Sequence, residues 1–219
     1  AMVAHSEHEM EMAARHVNAM RLNGVDAELL DREGVRKVAP ILNFADDARF
    51  PILGATWQGR AGTGRHDAVA WGYARAADRL GVDIIQSCEV TGLVVDQGRV
   101  RGVETTRGRI YADKVGAAAA GHSSVIAAMA GARLPIHSYA LQVFVTEPVK
   151  PLLHTVAFSA GHGVYLSQSD RGGLVTGGGL DRVPSYGQRG NLPMQEAVLA
   201  GILDFVPCLA TLRLLRHWA

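Results

Sequence analysis

The sequence has little cysteine, little net charge and no long apolar run, and each scarcity excludes a class of protein. Cys88 and Cys208 are its only cysteines, and they form no C-x-x-C motif, so the pattern supports neither a disulfide framework nor a zinc site. A net charge of +1 lacks the basic excess of a nucleic-acid binder. No run approaches the roughly 20 apolar residues of a membrane span, and the first residues carry no signal-peptide core. We therefore expect a soluble protein of the reducing cytosol, without a metal site, a nucleic-acid partner or a membrane.

The sequence also lacks the G-x-G-x-x-G fingerprint by which a dinucleotide-binding protein is usually recognised. The glycine runs at residues 62–64 and 177–179 have a different spacing. What the chain does have is length and apolar content, with 219 residues of which 48% are hydrophobic. A chain of this size buries roughly 70% of its unfolded surface, which is enough for one large or two small domains.

Local patterns predict a mixed α/β (α+β) chain. The apolar strand at residues 53–57, a helix over 68–80 and an apolar run at 82–85 predict a βαβ unit with parallel strands. Glycine-bearing turns between residues 89 and 114 predict an antiparallel meander, and the pattern after residue 134 predicts a second, mostly antiparallel sheet. Other predicted helices cover residues 6–24, 31–39 and 193–205, and other predicted strands cover residues 2–4, 115–120, 138–147, 156–159, 163–167 and 173–177.

One glycine-rich stretch, residues 59–67 with the sequence GRAGTGRHD, leads from the strand at 53–57 into the helix at 68–80. Two interpretations stay open from the residues alone. Asp67 is a suitable N-cap, and His66 is then a solvated loop residue. Alternatively, the turn delivers His66 to free backbone N–H donors at the positive end of a helix dipole, where an anionic group is favourably held.

The residues that follow favour the second interpretation, because the run GRHDAVAWGYARAADRLGVDIIQSCEVTGL resembles the β subunits of heterotetrameric sarcosine oxidases. These belong to the D-amino-acid-oxidase-like (DAO) family of FAD-dependent flavoproteins. Further segments match in the same order, namely NGVDAELL, VRGVETTRG, AAGHSS, AGARLPIHSYALQ, YLSQSDRGGLVTGGGLD and SYGQRG. The resemblance implies an internal fragment, truncated at both ends, with a partial FAD-binding domain at residues 1–133. It also implies an antiparallel substrate and interface domain at 134–206. The last residues, 207–219, would then return toward the FAD domain.

The resemblance assigns the candidate cofactor-binding residues. His66 of the Arg-His-Asp triplet matches the covalent attachment point of FMN, with Arg65 a candidate for a flavin oxygen or the FMN phosphate and Thr63 in the same loop. Val90 matches a position that pairs with the FAD adenine, and Gly121 matches a turn near the FAD pyrophosphate. FAD is bound non-covalently in this family. No catalytic residue is assigned, and we expect the isolated chain to be inactive and to carry no flavin.

The implied activity is oxidative demethylation of sarcosine to glycine, with FAD as hydride acceptor and FMN passing electrons to O₂. The implied partners are the α, γ and δ subunits, with tetrahydrofolate as the one-carbon acceptor. Two alternatives stay open. The chain could belong to a dehydrogenase for proline, a D-amino acid or glycine in the same superfamily, or it could be a non-catalytic interaction fragment.

Overall fold

The computed structural model describes residues 1–219, which pack as two units. The first unit combines Ala1–Thr63 with Tyr139–Ala219, and the second is Gly64–Ser138. The first unit contains β1 (Met2–Ala4), α1 (Glu7–Leu22), β2 (Glu28–Asp31), α2 (Arg32–Val38), β3 (Gly54–Trp57), β7 (Leu141–Pro148), β8 (Ala157–Ser159), β9 (Val164–Gln168), β10 (Gly173–Leu180), α5 (Leu192–Phe205) and β11 (Leu214–Trp218). The second contains α3 (His66–Arg79), β4 (Val90–Asp96), β5 (Arg99–Thr105), β6 (Gly108–Tyr111) and α4 (Ser123–Met129).

The first unit is built on one eight-stranded mixed sheet of order β11-β7-β10-β9-β8-β1-β3-β2. All neighbours are antiparallel except β1 and β8, which are parallel and align Met2 with Phe158. The mixed α/β class predicted from the sequence is confirmed. The sequence did not predict that strands from both ends of the chain share a single sheet. The packing groups the chain into the two units given above. The assignment of residues 1–133, 134–206 and 207–219 to functional domains is a separate matter and stays a prediction.

The hydrophobic core lies on one face of this sheet, under α2 and α5. Alternate strand residues point into it, because successive side chains of a strand face opposite sides. The fully buried members include Phe144, Leu166, Leu174, Phe205 and Val35. On the opposite face α1 covers the β1–β3 end of the sheet, where a Cβ on Gly54 would lie 2.7 Å from the Met10 sulfur. Gly54 therefore allows the helix to approach closely.

Three helices of the first unit begin at side-chain caps that the sequence pattern favours. Ser6 accepts a hydrogen bond from the Glu9 N–H at the start of α1, and Asp31 accepts one from Gly34 at the start of α2. Asn191 does the same for α5. The predicted helices at 6–24, 31–39 and 193–205 are confirmed to within two residues at each end. None of the helices combines the length and the apolar character that crossing a membrane requires.

The second unit confirms the predicted meander as an antiparallel sheet of order β4-β5-β6. Two predicted strands are wrong, because residues 82–85 and 115–119 adopt irregular backbone. An apolar run forms a strand only where a neighbouring strand offers its backbone groups, and none pairs with either segment. The βαβ unit is therefore absent, and β3 pairs instead with β1 and β2.

Candidate functional site

The triplet Arg65-His66-Asp67 lies at the beginning of α3, where the resemblance places a cofactor. His66 is the first helical residue and is exposed, and Arg65 occupies the N-cap position without a side-chain cap. Asp67 is the second residue of the helix, so the alternative in which it acts as the N-cap is wrong. Its carboxylate accepts a hydrogen bond from the Ala68 N–H at 2.8 Å and lies 3.8 Å from the Arg65 guanidinium. The hydrogen bond from the Ala68 N–H lowers the pKa of the Asp67 carboxyl below its usual value, and the nearby Arg65 guanidinium lowers it further.

The other two residues assigned in the second unit have structural explanations of their own. Val90 begins β4, is half-buried and pairs with Thr105 of β5. The carbonyl of Gly121 accepts a hydrogen bond from the Ser138 hydroxyl at 2.7 Å, and a Cβ at this position would lie 2.8 Å from that oxygen. Packing against Ser138 is therefore one reason for glycine here. No hydrogen bond or ion pair joins His66, Val90 and Gly121 to one another.

Thr63, the remaining assigned residue, lines a cavity of about 800 Å³ within the first unit. Three separate stretches of chain form its wall. They are the N-terminal part with α1 (Ala1, Met2, His16, Met20), the end of β3 and the loop after it (Thr56, Trp57, Gln58, Ala61, Gly62, Thr63), and the segments 149–156 and 167–172. His154 and Arg171 contribute polar groups to the third stretch. The cavity thus combines an indole ring, two imidazoles, the Arg171 guanidinium and the Asp170 carboxylate, a mixture of apolar and polar groups that is typical of small-molecule sites.

Gln168 holds the third stretch of the cavity wall in place. Its Oε1 accepts hydrogen bonds from the backbone N–H groups of Leu152 and Leu153 at 2.8 and 3.1 Å. Its Nε2 lies 3.0 to 3.3 Å from the carbonyl oxygens of Val149, Lys150 and Gly172. One side chain therefore joins the 149–153 segment to the β9–β10 turn. Sequence reasoning missed this role, because four of the five partners lie 15 to 19 residues away in an irregular segment.

The glycines of the loop after β3 divide into two kinds. A Cβ on Gly59 would lie 2.6 Å from the Trp57 ring, so glycine there lets the indole fold over the backbone. A Cβ on Gly62 or Gly64 would meet nothing within 4 Å, and neither residue has a positive φ. No contact inside the chain requires glycine at these two positions.

A second surface, which we call the open face, lies on the side of the sheet opposite the core. Cross-strand pairing aligns Phe158, Tyr165, Gly177, Val143 and Trp218 in one row across β8, β9, β10, β7 and β11. A Cβ on Gly177 would lie 2.7 Å from the Tyr165 hydroxyl oxygen, so the glycine makes room for the phenol ring. Burial raises the pKa of Tyr165 above its usual value. No local sequence pattern distinguishes Tyr165 from the other strand residues.

The histidines outside the triplet show no metal-binding arrangement. No group of three or more His, Cys, Asp or Glu side chains is placed so as to hold a metal ion. His154 lines the cavity, whereas His162 is buried and bonded to Ser159 and Asp204.

Comparison with known proteins identifies the family of the chain. The model of the family described as "DAO: FAD dependent oxidoreductase" matches residues 1–219. The chain is 57% identical over 215 residues to sarcosine oxidase subunit beta of Rhizobium meliloti (strain 1021), which covers 98% of this chain and 51% of that subunit. It is 48% identical over 216 residues to the subunit of the same name from Arthrobacter sp., with coverages of 99% and 53%. The chain therefore spans about half the length of these curated relatives.

Solved structures support the same fold. L-proline dehydrogenase from P. horikoshii superposes with a TM-score of 0.88 at 24% identity, over 99% of this chain and 58% of that one. Glycine oxidase from Geobacillus kaustophilus superposes with a TM-score of 0.84 at 20% identity, over 99% and 56%. At this identity the likeness concerns the fold alone.

Proposed function

Because the chain belongs to the DAO family of FAD dependent oxidoreductases, we propose that it acts within an enzyme that oxidatively demethylates sarcosine to glycine. The observation that carries the proposal is the 57% identity to sarcosine oxidase subunit beta of Rhizobium meliloti. D-amino acid dehydrogenases are also similar to the chain, but at 26 to 34% identity. The gap in identity favours sarcosine, or a closely related N-methyl amine, over a D-amino acid as the substrate.

His66 is the residue that we propose as the covalent attachment point of FMN, with Arg65 and Thr63 beside it. Two observations support this assignment: His66 is exposed, and it is the first residue of α3, at the positive end of the helix dipole. Val90 and Gly121 stay candidate contacts for non-covalently bound FAD. When bound, the two flavins would supply the redox chemistry, namely hydride acceptance and electron transfer to O₂.

The open face is our candidate for the amine site. Phe158, Val143 and Trp218 line it with apolar surface beside Tyr165. The Tyr165 hydroxyl, which like any phenol is protonated at neutral pH, would donate a hydrogen bond to the carboxylate of an amino acid and so orient the N-methyl group. Gly177 keeps the phenol close to the sheet, so that a small substrate fits over it.

The subunit designation of the relatives implies companions, and we propose α, γ and δ subunits as the partners of this chain. Tetrahydrofolate is the proposed acceptor of the one-carbon unit that demethylation releases. Both proposals rest on the resemblance to the β subunits, and neither depends on the cavity or on the open face.

The substrate is tested by exchanging the matching 215 residues of the Rhizobium meliloti subunit for this chain and expressing the hybrid with that enzyme's other subunits. We expect hydrogen peroxide formation with sarcosine at a kcat/KM at least tenfold above the values for L-proline, D-alanine and glycine. The unaltered Rhizobium meliloti enzyme is the matched control for assembly and flavin content. A hybrid that contains flavin but prefers one of the other three substrates contradicts the proposal.

A further inference from the structure

The open face contains a groove with an aromatic residue at each side. Along the row that crosses this face, Gly177 of β10 and Val143 of β7 stand between Tyr165 of β9 and Trp218 of β11. Neighbouring strands lie about 4.8 Å apart, so the Cα atoms of the two aromatic residues are separated by roughly 14 Å. The glycine and the valine form the floor of the groove, and the width of the groove depends on where β11 holds its indole.

The position of Trp218 is coupled to that of His217. β11 is an edge strand, and β7 is its only neighbour in the sheet. The pairing of the two strands shifts between Leu214 and Arg216, which interrupts the ladder locally. His217 stacks on the buried Phe144 ring, with the ring centroids 4.4 Å apart, so its imidazole lies on the core side. Successive side chains of a strand face opposite sides, and Trp218 therefore lies on the open face.

Gln142 holds His217 from the core side of β7, where its side chain is fully buried. Its Oε1 lies 2.8 Å from the His217 Nε2, and its Nε2 lies 3.0 Å from the Asp181 Oδ1. The same Asp181 oxygen accepts a hydrogen bond from the Asn191 Nδ2 at 2.7 Å. Asn191 in turn caps α5 through its side-chain oxygen. The series therefore joins β11 to β7, to the residue after β10 and to the start of α5.

The donors and acceptors of this series allow only one arrangement. A carboxylate accepts hydrogen bonds and cannot donate them, so the Gln142 atom that faces Asp181 is the amide nitrogen. The amide oxygen then faces His217, and only a protonated Nε2 can donate to it. Each partner at Gln142 thus has a single role. Removing the amide would leave a buried donor of His217 unpaired, which is costly.

The segment before α5 covers this hydrogen bond. A Cβ on Gly190 would overlap the His217 ring and would lie 2.5 Å from the Gln142 Oε1. Gly190 has no positive φ, so the close approach, and not the backbone conformation, accounts for glycine at this position. The same segment also pairs with the end of β11, where the Ala219 N–H donates to the Gln188 carbonyl oxygen at 3.1 Å. The end of β11 that carries the indole is therefore held from both sides.

We propose that Gln142 is a positioning residue of the candidate amine site, an inference that rests on the proposed function. Through its hydrogen bond to His217 it fixes the Trp218 end of β11, so that the indole closes the groove on the side opposite Tyr165. Gln142 points away from the open face and acts on the substrate only through Trp218. It therefore governs the binding of a small N-methyl amino acid in the groove and not the redox step.

The first test measures how accessible Trp218 is in the 219-residue chain. The chain has three tryptophans, and replacing Trp57 and Trp71 with phenylalanine leaves Trp218 as the only indole. Gln142→Met keeps the length of the side chain and removes both hydrogen bonds. We expect acrylamide to quench the Trp218 fluorescence about twofold more strongly in this variant, because a strand end that frays exposes its side chains.

Two further variants make this test specific. His217→Phe keeps a ring on Phe144 and removes the donor, so it should produce the same rise in quenching; it also replaces Gln142→Met if circular dichroism shows that Gln142→Met does not fold. Thr146→Val is the matched control, because Thr146 is a buried polar residue on the same side of β7. Quenching that is equal in Thr146→Val and in the two other variants overturns the proposal.

The second test measures kinetics in the hybrid enzyme described above. A hydrogen bond typically contributes a factor of roughly two to ten to an equilibrium constant. Gln142→Met should therefore raise the KM for sarcosine by about this factor while kcat changes less, and Thr146→Val should change neither. Stronger quenching without a higher KM overturns the positioning role. A flavin-containing hybrid that does not oxidise sarcosine contradicts the proposed function instead, and the quenching comparison then decides whether Gln142 positions Trp218.

Discussion

Replacing Gly177 with alanine should destabilise the eight-stranded sheet, because the added methyl group has no room. Strand β10 lies between β7 and β9, and a Cβ on Gly177 would stand 2.6 Å from the Gln142 carbonyl oxygen and 2.7 Å from the Tyr165 hydroxyl oxygen. The phenol can rotate away, but the carbonyl moves only if the backbone of β7 moves. Overpacking of this kind costs about 1 to 3 kcal/mol.

Urea denaturation followed by far-ultraviolet circular dichroism measures this cost. If the cost is about 2 kcal/mol and the m-value is about 2 kcal/mol per molar urea, the midpoint of the first unit falls by about 1 M. Gly116→Ala is the matched control, since a Cβ at Gly116 meets nothing within 4 Å and the residue has no positive φ. Equal midpoints for the two variants would refute the argument from close packing.

Three further perturbations follow from the structure. Gln168→Ala should lower the free energy of unfolding by about 1 to 3 kcal/mol, because it leaves backbone groups of the cavity wall unpaired; an unchanged urea midpoint would count against the bracing role. Phe205→Ala, at a fully buried core position, should cost about 3 to 5 kcal/mol by the same assay, whereas Val183→Ala at a 65% exposed side chain should cost little; similar losses would contradict the placement of the core. Burial raises the pKa of Tyr165, so its contribution to stability is present below about pH 10 and is lost as the pH rises through the folded value. Tyr165→Phe should flatten this alkaline loss in urea midpoints, and an unaltered pH profile would contradict it.

Local features were predictable from the sequence because neighbouring residues determine them. Ser6 and Asn191 cap helices through atoms three residues away, and the turns of the meander are set by glycines beside them. The predicted strand at residues 82–85 was wrong for the opposite reason. A strand forms only when it pairs with a neighbouring strand, and apolar character alone does not supply that neighbour. The parallel pairing of Met2 with Phe158 joins residues far apart in sequence, and no local pattern indicates it.

The candidate site shows the same division. His66 and Thr63 could be assigned from the sequence because they lie in the glycine-rich stretch 59–67, next to the run that resembles the β subunits. Their roles stay predictions. The cavity was not predictable, because its wall is assembled from segments more than 80 residues apart. Tyr165 gains its importance from a glycine on the neighbouring strand. Each of these relations arises from the sheet order, which the sequence does not display.

The proposed function depends above all on His66, whose imidazole we propose to carry a flavin in the assembled enzyme. The most direct measurement is mass spectrometry of the peptide that contains His66, prepared from the hybrid subunit assembled with its companions. We predict that this peptide carries the added mass of FMN and that a His66→Gln subunit, compared with a His137→Gln control, yields only unmodified peptide. An unmodified His66 peptide from an assembly that oxidises sarcosine would contradict the claim.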